Sequence, residues 1–298
     1  MDVNAEQVST GWSAQPADRA AGMTNALSVD VEDWFQVSAF ETRIDRSTWD
    51  SVPCRVERNV DLVLELLEKH HARATFFTLG WIAHRHPDLV RRIAAAGHEI
   101  ASHGYAHRRA TDQAPHEFYQ DIVRAKRLLE DIGGRPVHGY RAPSFSISRR
   151  NLWTFDSIAR AGYRYSSSVY PVHHDHYGMP DAPRFLHRLP NGLIEVPLTT
   201  TRLLGFNLPA AGGGYFRLAP YALSRWAIER VNRIDKRPAI FYLHPWELDP
   251  QQPRVDGVPI KSRVRHYLNL SKTEGRLGQL LGDFRWDRVD RTFELAFG

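Results

Sequence analysis

The chain of 298 residues, 42% apolar and 24% charged, is long enough for one large α/β domain or two small ones and has an ordinary globular composition. Its formal charge of +5 comes from scattered arginines, which argues against a nucleic-acid footprint and leaves room only for a weak attraction to anionic glycans or a membrane surface. The single cysteine, Cys54, excludes an intrachain disulfide framework and a multi-cysteine zinc site, and no apolar run is long enough to span a bilayer.

Residues 1–24 have neither the basic start nor the apolar centre of a secretory signal. They read as a disordered leader, and the missing signal places the protein in the cytoplasm. Residues 25–31 suit a buried strand. Residues 57–69 have helical periodicity, with Val60, Leu64 and Leu67 on one face. Residues 73–79 are strand-like, and Pro87 opens a helix that Gly97 stops. Residues 98–102 form a short strand leading into His103. A helix over 115–132 ends at Gly133-Gly134, and a strand over 137–140 leads into Arg141. A helix over 148–161 precedes strands over 163–169 and 193–198. The glycine-rich stretch 208–220 lacks the lysine of a phosphate loop and reads as a tight loop near a substrate groove. A helix over 220–234 and a strand over 238–243 lead into His244. Residues 251–298 open with proline-rich turns, and 262–284 then read as helical, with Leu277, Leu280 and Leu281 on one face. The alternation predicts a parallel sheet with crossover helices over 25–250, open or closed into a barrel, and a C-terminal extension over 251–298 packed on it.

Two clusters carry chemistry. SHGYAH places His103 and His107 four residues apart, a spacing that can put both imidazoles on one side of a helical turn. SVDVEDW supplies Asp30, Glu32 and Asp33. Two imidazoles and one carboxylate make the three-ligand set of a catalytic zinc-type site, and a spare carboxylate can activate water; the reaction class is metal-assisted hydrolysis. Taken alone, a His pair is weak evidence in a chain with 15 histidines, and strand-end acids often just cap a helix. The placement decides between the readings. Asp30 to Asp33, His103, Arg141 and His244 each follow a strand, and in parallel α/β folds those strand ends form the active face. The run His173, His174, Asp175 and His176 sits between Pro and Gly and reads as loop surface.

In their order, SVDVEDW, the His103/His107 pair, Arg141 with Pro143 and Phe145 in YRAPSF, and Leu243-His244 resemble the motifs of the family 4 carbohydrate esterases, the polysaccharide deacetylases of the NodB-homology fold. The segments SVDVEDWF, GYRAPSFS, GGGYFRL, FYLHPWELDP and RHYLNLSKTEGRL are similar, more closely, to the deacetylases that accompany bacterial exopolysaccharide and exosortase gene clusters. The resemblance implies a deformed parallel (β/α) barrel with a short helical C-terminal extension. It implies a metal-dependent hydrolase that removes N-acetyl groups from a GlcNAc-type polysaccharide or lipid-linked oligosaccharide in exopolysaccharide biosynthesis. One divalent metal is implied, zinc first, with cobalt, nickel or iron also accepted by such ligands. His103, His107 and either Glu32 or Asp33 would hold it. Asp30 would be the general base, Arg141 its orienter and His244 the general acid, with a backbone N–H at Ser144 or Phe145 meeting the oxyanion. Pro143, Phe145, Ser166 and Trp246 would lie at the substrate. Ser166 stands where the family carries an aspartate that supports the catalytic histidine, which puts the acid step in question. The partner is an N-acetylated glycan, with no nucleic acid and a peripheral association with membrane-bound glycan synthesis. A metal-independent ureide-type amidohydrolase and a catalytically weakened glycan-binding relative are the competing readings; the His pair opposes the first and Ser166 favours the second.

Overall fold

Seven of the eight residues of β1 (Thr24–Val31) are buried, the pattern of a strand covered on both faces. In the computed structural model, which describes residues 22–174 and 177–296, β1 anchors a nine-stranded sheet. The sheet's other strands are β2 (Thr75–Thr78), β3 (Glu99–Ser102), β4 (Gly139–Tyr140), β5 (Tyr165–Ser166), β6 (His187–Arg188), β7 (Ile194–Glu195), β10 (Ile240–Leu243) and β11 (Arg285–Asp287), while β8 (Thr200–Leu203) and β9 (Phe206–Pro209) pair only with each other. The order is β10-β1-β2-β3-β4-β5-β7-β6, with β11 also paired to β1, and every pairing is parallel except β6 with β7. Beyond β7 the curl continues. Leu198 N–H donates to Val169 O, and Tyr242 N–H of β10 donates to Ala211 O. The result is a deformed parallel barrel, and it sends the carboxyl ends of β1, β3, β4 and β10 to one face.

The helices are α1 (Val56–Lys69), α2 (Gly80–Arg85), α3 (Pro87–Ala95), α4 (Pro115–Gly133), α5 (Trp153–Arg160), α6 (Gly214–Leu218), α7 (Tyr221–Arg230), α8 (Ile260–Tyr267), α9 (Leu270–Asp283) and α10 (Val289–Thr292). α1 buries Val56, Val60, Val63 and Leu67 against the sheet, a stripe at helical spacing, while Leu64 is half-buried at its margin. Among the described residues no helix is long and apolar enough to cross a membrane. The expected leader lies outside the described residues except for its last three, and Thr24 already belongs to β1.

Several elements differ from expectation. The helix expected from residue 148 starts at Trp153, because Asn151 accepts the Ser148 N–H at 2.7 Å and holds a turn there. The strand expected over 163–169 pairs only at Tyr165–Ser166, since Ser167 and Ser168 turn to bond Arg141 and Ala142. The single helix expected over 262–284 breaks at Asn269, whose φ is 57°, into α8 and α9. The extension is also not helical throughout: β11 pairs with Thr24–Ala26 of β1, so the chain's last segment joins the sheet. Leu277, Leu280 and Leu281 of α9 are buried, as their spacing predicts.

Glu99 lies buried at the amino end of β3. It accepts hydrogen bonds from the Thr75 and Tyr165 hydroxyls, with Tyr165 at 2.9 Å. Burial, and then the charge of Asp290, raise its carboxyl well above the ordinary range. The unfolded chain ionises this group at its usual pH while the native protein keeps it protonated. Its contribution to stability is therefore full in acid and falls as pH rises from the unfolded toward the folded pKa. Glu99→Gln, which is neutral throughout, should gain in melting temperature relative to wild type on going from pH 5 to pH 8. A difference independent of pH would contradict the assignment.

Candidate active site

β1 ends in a tight turn in which Glu32 N–H donates to Asp30 O at 3.0 Å. Asp30 and Glu32 both line one cavity of about 220 Å³. Asp33 points the other way. Its carboxylate accepts the N–H groups of Trp34 at 2.8 Å, Arg55 at 2.6 Å and Val56 at 3.0 Å, so it caps the start of α1. Of the two acids expected as alternatives for the ligand role, Glu32 stands beside the histidines and Asp33 does not.

His103 and His107 do come together, but not on a helical turn. They lie in the loop after β3, where Gly104 and His107 have φ of 74° and 49°. Asp121 of α4 pins the loop by accepting Tyr105 N–H at 2.7 Å, and Arg46 donates to His107 O at 3.1 Å. The imidazole centroids are 5.4 Å apart. His103 Nδ1 donates to Arg141 O at 2.9 Å, which leaves Nε2 with its lone pair toward the cavity. Burial holds this imidazole down at about 4, so it is neutral at physiological pH. His107 Nε2 approaches Glu32 Oε2 to 2.7 Å. That carboxylate oxygen is buried without a hydrogen-bonded partner despite the approach. Trp246 Nε1 donates to the other oxygen, Glu32 Oε1, at 3.1 Å, leaving Oε2 to face the histidines. Burial opposes ionisation of Glu32, but the neighbouring imidazoles of His107, His244 and His103 pull its carboxyl well below the usual range. Ligand atoms of Glu32, His103 and His107 all lie within 4.8 Å of one another. A buried carboxylate oxygen crowded by two imidazoles fits a divalent cation, and the donor set suits zinc or its neighbours in the transition series.

Arg141 is fully buried, and each of its three nitrogens donates a hydrogen bond. Its Nη1 donates to Asp30 Oδ1 at 2.6 Å and to Ser28 Oγ at 2.9 Å, and Nε and Nη2 reach Ser167 O and Oγ, each at 3.0 Å. Its guanidinium lies over the Phe77 ring. Asp30 is thereby fixed by one oxygen, and its Oδ2 is turned toward His244 Nε2, 4.0 Å away.

His244 follows β10. Its Nδ1 donates to Glu247 Oε1 at 2.6 Å, and Glu247 Oε2 accepts from Arg217 Nε at 2.7 Å. Burial would lower the His244 pKa, but Glu32 and Glu247 together hold it up at about 9. Glu247 itself is held down at about 2; burial opposes this, and Arg217 and His244 overcome it. This arrangement corrects the expectation for Ser166. The Ser166 hydroxyl is buried on Ser168 Oγ at 2.8 Å and supports neither His244 nor the cavity wall. Pro143 is corrected too: it is buried as the start of a short turn and does not line the cavity. Phe145 and Trp246 do line it. Phe145 N–H is spent on Ala142 O at 3.0 Å, so Ser144 is the member of that pair left to meet an oxyanion.

Sequence reasoning missed Glu247, Arg217 and His266. Glu247 had a visible signal, His-x-x-Glu opening a turn, and the carboxylate also accepts His244 N–H at 3.2 Å as in a capping box. His266, from α8, stacks on Trp246 at 4.2 Å, and Trp246 stacks on His244 at 5.1 Å. The glycine-rich segment packs against β10: a Cβ on Gly212 would lie 2.2 Å from Tyr242 O, and φ there is 105°. That packing delivers Tyr215 and Leu218 to the cavity mouth. His174, which also lines the cavity, stacks on Tyr177 at 3.8 Å, while Asp175 and His176 lie outside the described residues.

The profile described as polysaccharide deacetylase matches residues 45–166, and a domain of unknown function, DUF3473, matches residues 167–294. A peptidoglycan deacetylase of Helicobacter pylori is 28% identical over 119 residues, 40% of this chain and 39% of that protein. A chitooligosaccharide deacetylase of Azorhizobium caulinodans is 39% identical over 97 residues, 32% of this chain and 46% of that protein. The chain thus spans less than half the length of these curated relatives. A crystal structure from Mycobacterium smegmatis, described as a candidate polysaccharide deacetylase, superposes with a TM-score of 0.61 at 20% identity, covering 94% of this chain and 93% of that one. That likeness speaks for the fold.

Proposed function

We propose that the chain, whose residues 45–166 match the polysaccharide deacetylase profile, hydrolyses the N-acetyl group of a GlcNAc-type glycan to acetate and a free amino sugar. The observation that carries the reading is the convergence of Asp30, Glu32, His103, His107 and His244 on one cavity. A divalent ion held by Glu32, His103 and His107, zinc foremost, would supply a Lewis acid for the acetyl carbonyl and an acidified water. Asp30 takes the water proton on Oδ2, because Arg141 occupies Oδ1 and holds the carboxylate in orientation. The water oxygen bonds to the acetyl carbon, the C–N bond breaks, and His244 Nε2 delivers a proton to the leaving nitrogen. The Ser144 amide would share the oxyanion. Tyr215, which lines the cavity, offers an aromatic ring for a sugar, while Trp246 is stacked on His266 and His244. The sequence resemblance supports exopolysaccharide biosynthesis as the setting, with the protein peripheral to membrane-bound glycan synthesis.

Incubation with N-acetylglucosamine oligomers should release acetate and free amine in equal amounts. Turnover of a small ureide with no acetate from the oligomers would favour the amidohydrolase reading instead.

Glu247 takes the supporting place expected of Ser166, which weakens the case for a catalytically weakened relative. The raised His244 pKa keeps the imidazole protonated at and below neutral pH, and the acid function is lost as pH rises through the folded pKa. Glu247→Gln keeps an acceptor for Nδ1 and removes the charge, so the alkaline limb of the pH–rate profile should move to lower pH. Ser166→Ala should leave that limb in place. An unmoved limb in Glu247→Gln would remove Glu247 from the role.

A further inference from the structure

β8 and β9 form a two-stranded ribbon outside the main sheet, joined by Leu204-Gly205. Both turn residues have positive φ, 50° at Leu204 and 86° at Gly205. Such a two-residue turn favours Asn or Asp before Gly, because their short polar side chains tolerate the left-handed region and meet water. Here a leucine occupies the position with 88% of its surface exposed. Leu204 is disfavoured twice, by backbone geometry and by exposure.

The register extends the apolar tip. Leu203 pairs with Phe206, which is 70% exposed, and Leu208 follows on the same face. Arg230, at the end of α7, donates to Arg202 O at 3.1 Å and sets the helix beside the ribbon. α7 exposes Leu223 and Trp226. The surrounding charge is mostly positive: apart from the buried Arg217, residues 200–237 hold six Arg and Lys against two carboxylates. Both carboxylates are spent locally, Glu229 on Arg225 at 3.0 Å and Asp235 on Arg184 at 2.9 Å. Arg202, Arg233, Lys236 and Arg237 are exposed.

We propose that this ribbon docks the protein on an anionic lipid bilayer, with Leu203, Leu204 and Phe206 entering the acyl boundary and the flanking cations meeting lipid phosphates. The charge selects this occupant over a second copy of the chain, since two such faces would bring like charges together. The inference is independent of the chemistry assigned to the cavity.

Vesicle cosedimentation tests it with the full chain. Vesicles of phosphatidylcholine and phosphatidylglycerol in equal parts should carry the protein down at low salt and release it as salt rises. Phosphatidylcholine alone should bind at least about tenfold more weakly. Leu204→Asn with Phe206→Ser restores an Asn-Gly turn and removes the apolar tip; with a circular dichroism spectrum like that of wild type, it should lose at least about tenfold in binding. Should that variant misfold, Arg233→Glu with Arg237→Glu should lose affinity for the anionic vesicles alone. Wild-type protein that stays in the supernatant with both vesicle types would overturn the proposal, as would folded variants that bind as wild type does. A dimer that the tip variant abolishes, without vesicle binding, would assign the face to self-association.

Discussion

His103→Ala is expected to lose at least about 100-fold in affinity for a divalent ion, and turnover should fall with it. Without this imidazole the cluster of ligand atoms is reduced to His107 and Glu32. Metal content after dialysis and a calorimetric titration with zinc give the two readings. Asp33→Asn is the informative comparison. It sits one residue from Glu32, yet it caps α1, so it should retain metal while costing about 0.5–2 kcal/mol of stability. Full metal occupancy in His103→Ala, or loss of metal in a folded Asp33→Asn, would reverse the roles given to these residues.

Asp30→Asn should behave differently: metal retained, turnover reduced by about 10²- to 10⁴-fold. The amide keeps the shape and the contact with Arg141 but has no basic oxygen for the water proton. Arg141→Lys should be damaging as well, because an ammonium cannot reproduce the planar set of contacts to Asp30, Ser28 and Ser167 inside a fully buried site. Rate measurements on the metal-loaded variants decide it. Near-normal turnover in Asp30→Asn would place the base elsewhere.

The strand ends were legible because each closes a short run of residues suited to burial. Val29 to Val31, Ile100 to Ser102, Gly139 to Tyr140 and Ile240 to Leu243 are nearly all buried, and parallel pairing then directs the residues after each strand to one face. Which acid of SVDVEDW turns inward was not legible. It depends on one backbone hydrogen bond at the strand end and on two amides 22 and 23 residues further along the chain that claim Asp33. The four-residue His spacing is compatible with a helical turn or with a loop containing left-handed residues. Gly104 is the only trace in the sequence of the second.

Ser166 shows a different limit. Motif order identifies the strand that reaches the site, but it does not say which side chain extends far enough. Glu247, three residues from His244, reaches its Nδ1 through a short turn. Its partner Arg217 comes from a glycine-rich stretch whose composition suggested only a tight turn, and the pairing spans 30 residues. The matched domains divide this site between them. Asp30 and Glu32 precede both matches, His103, His107 and Arg141 fall in the deacetylase match, and Arg217, His244, Glu247 and His266 fall in the domain of unknown function. The geometry therefore gives that domain a share in the cavity and not only in its scaffold.

The most direct measurement is acetate release from an N-acetylglucosamine oligomer by protein stripped with a chelator and then titrated with zinc. The stripped protein should be nearly inactive. Activity should return in proportion to added metal and level off at one equivalent, and His103→Ala should show no such return. Full activity in the stripped protein, or none at any metal loading, would contradict a metal-dependent deacetylase built on Glu32, His103 and His107.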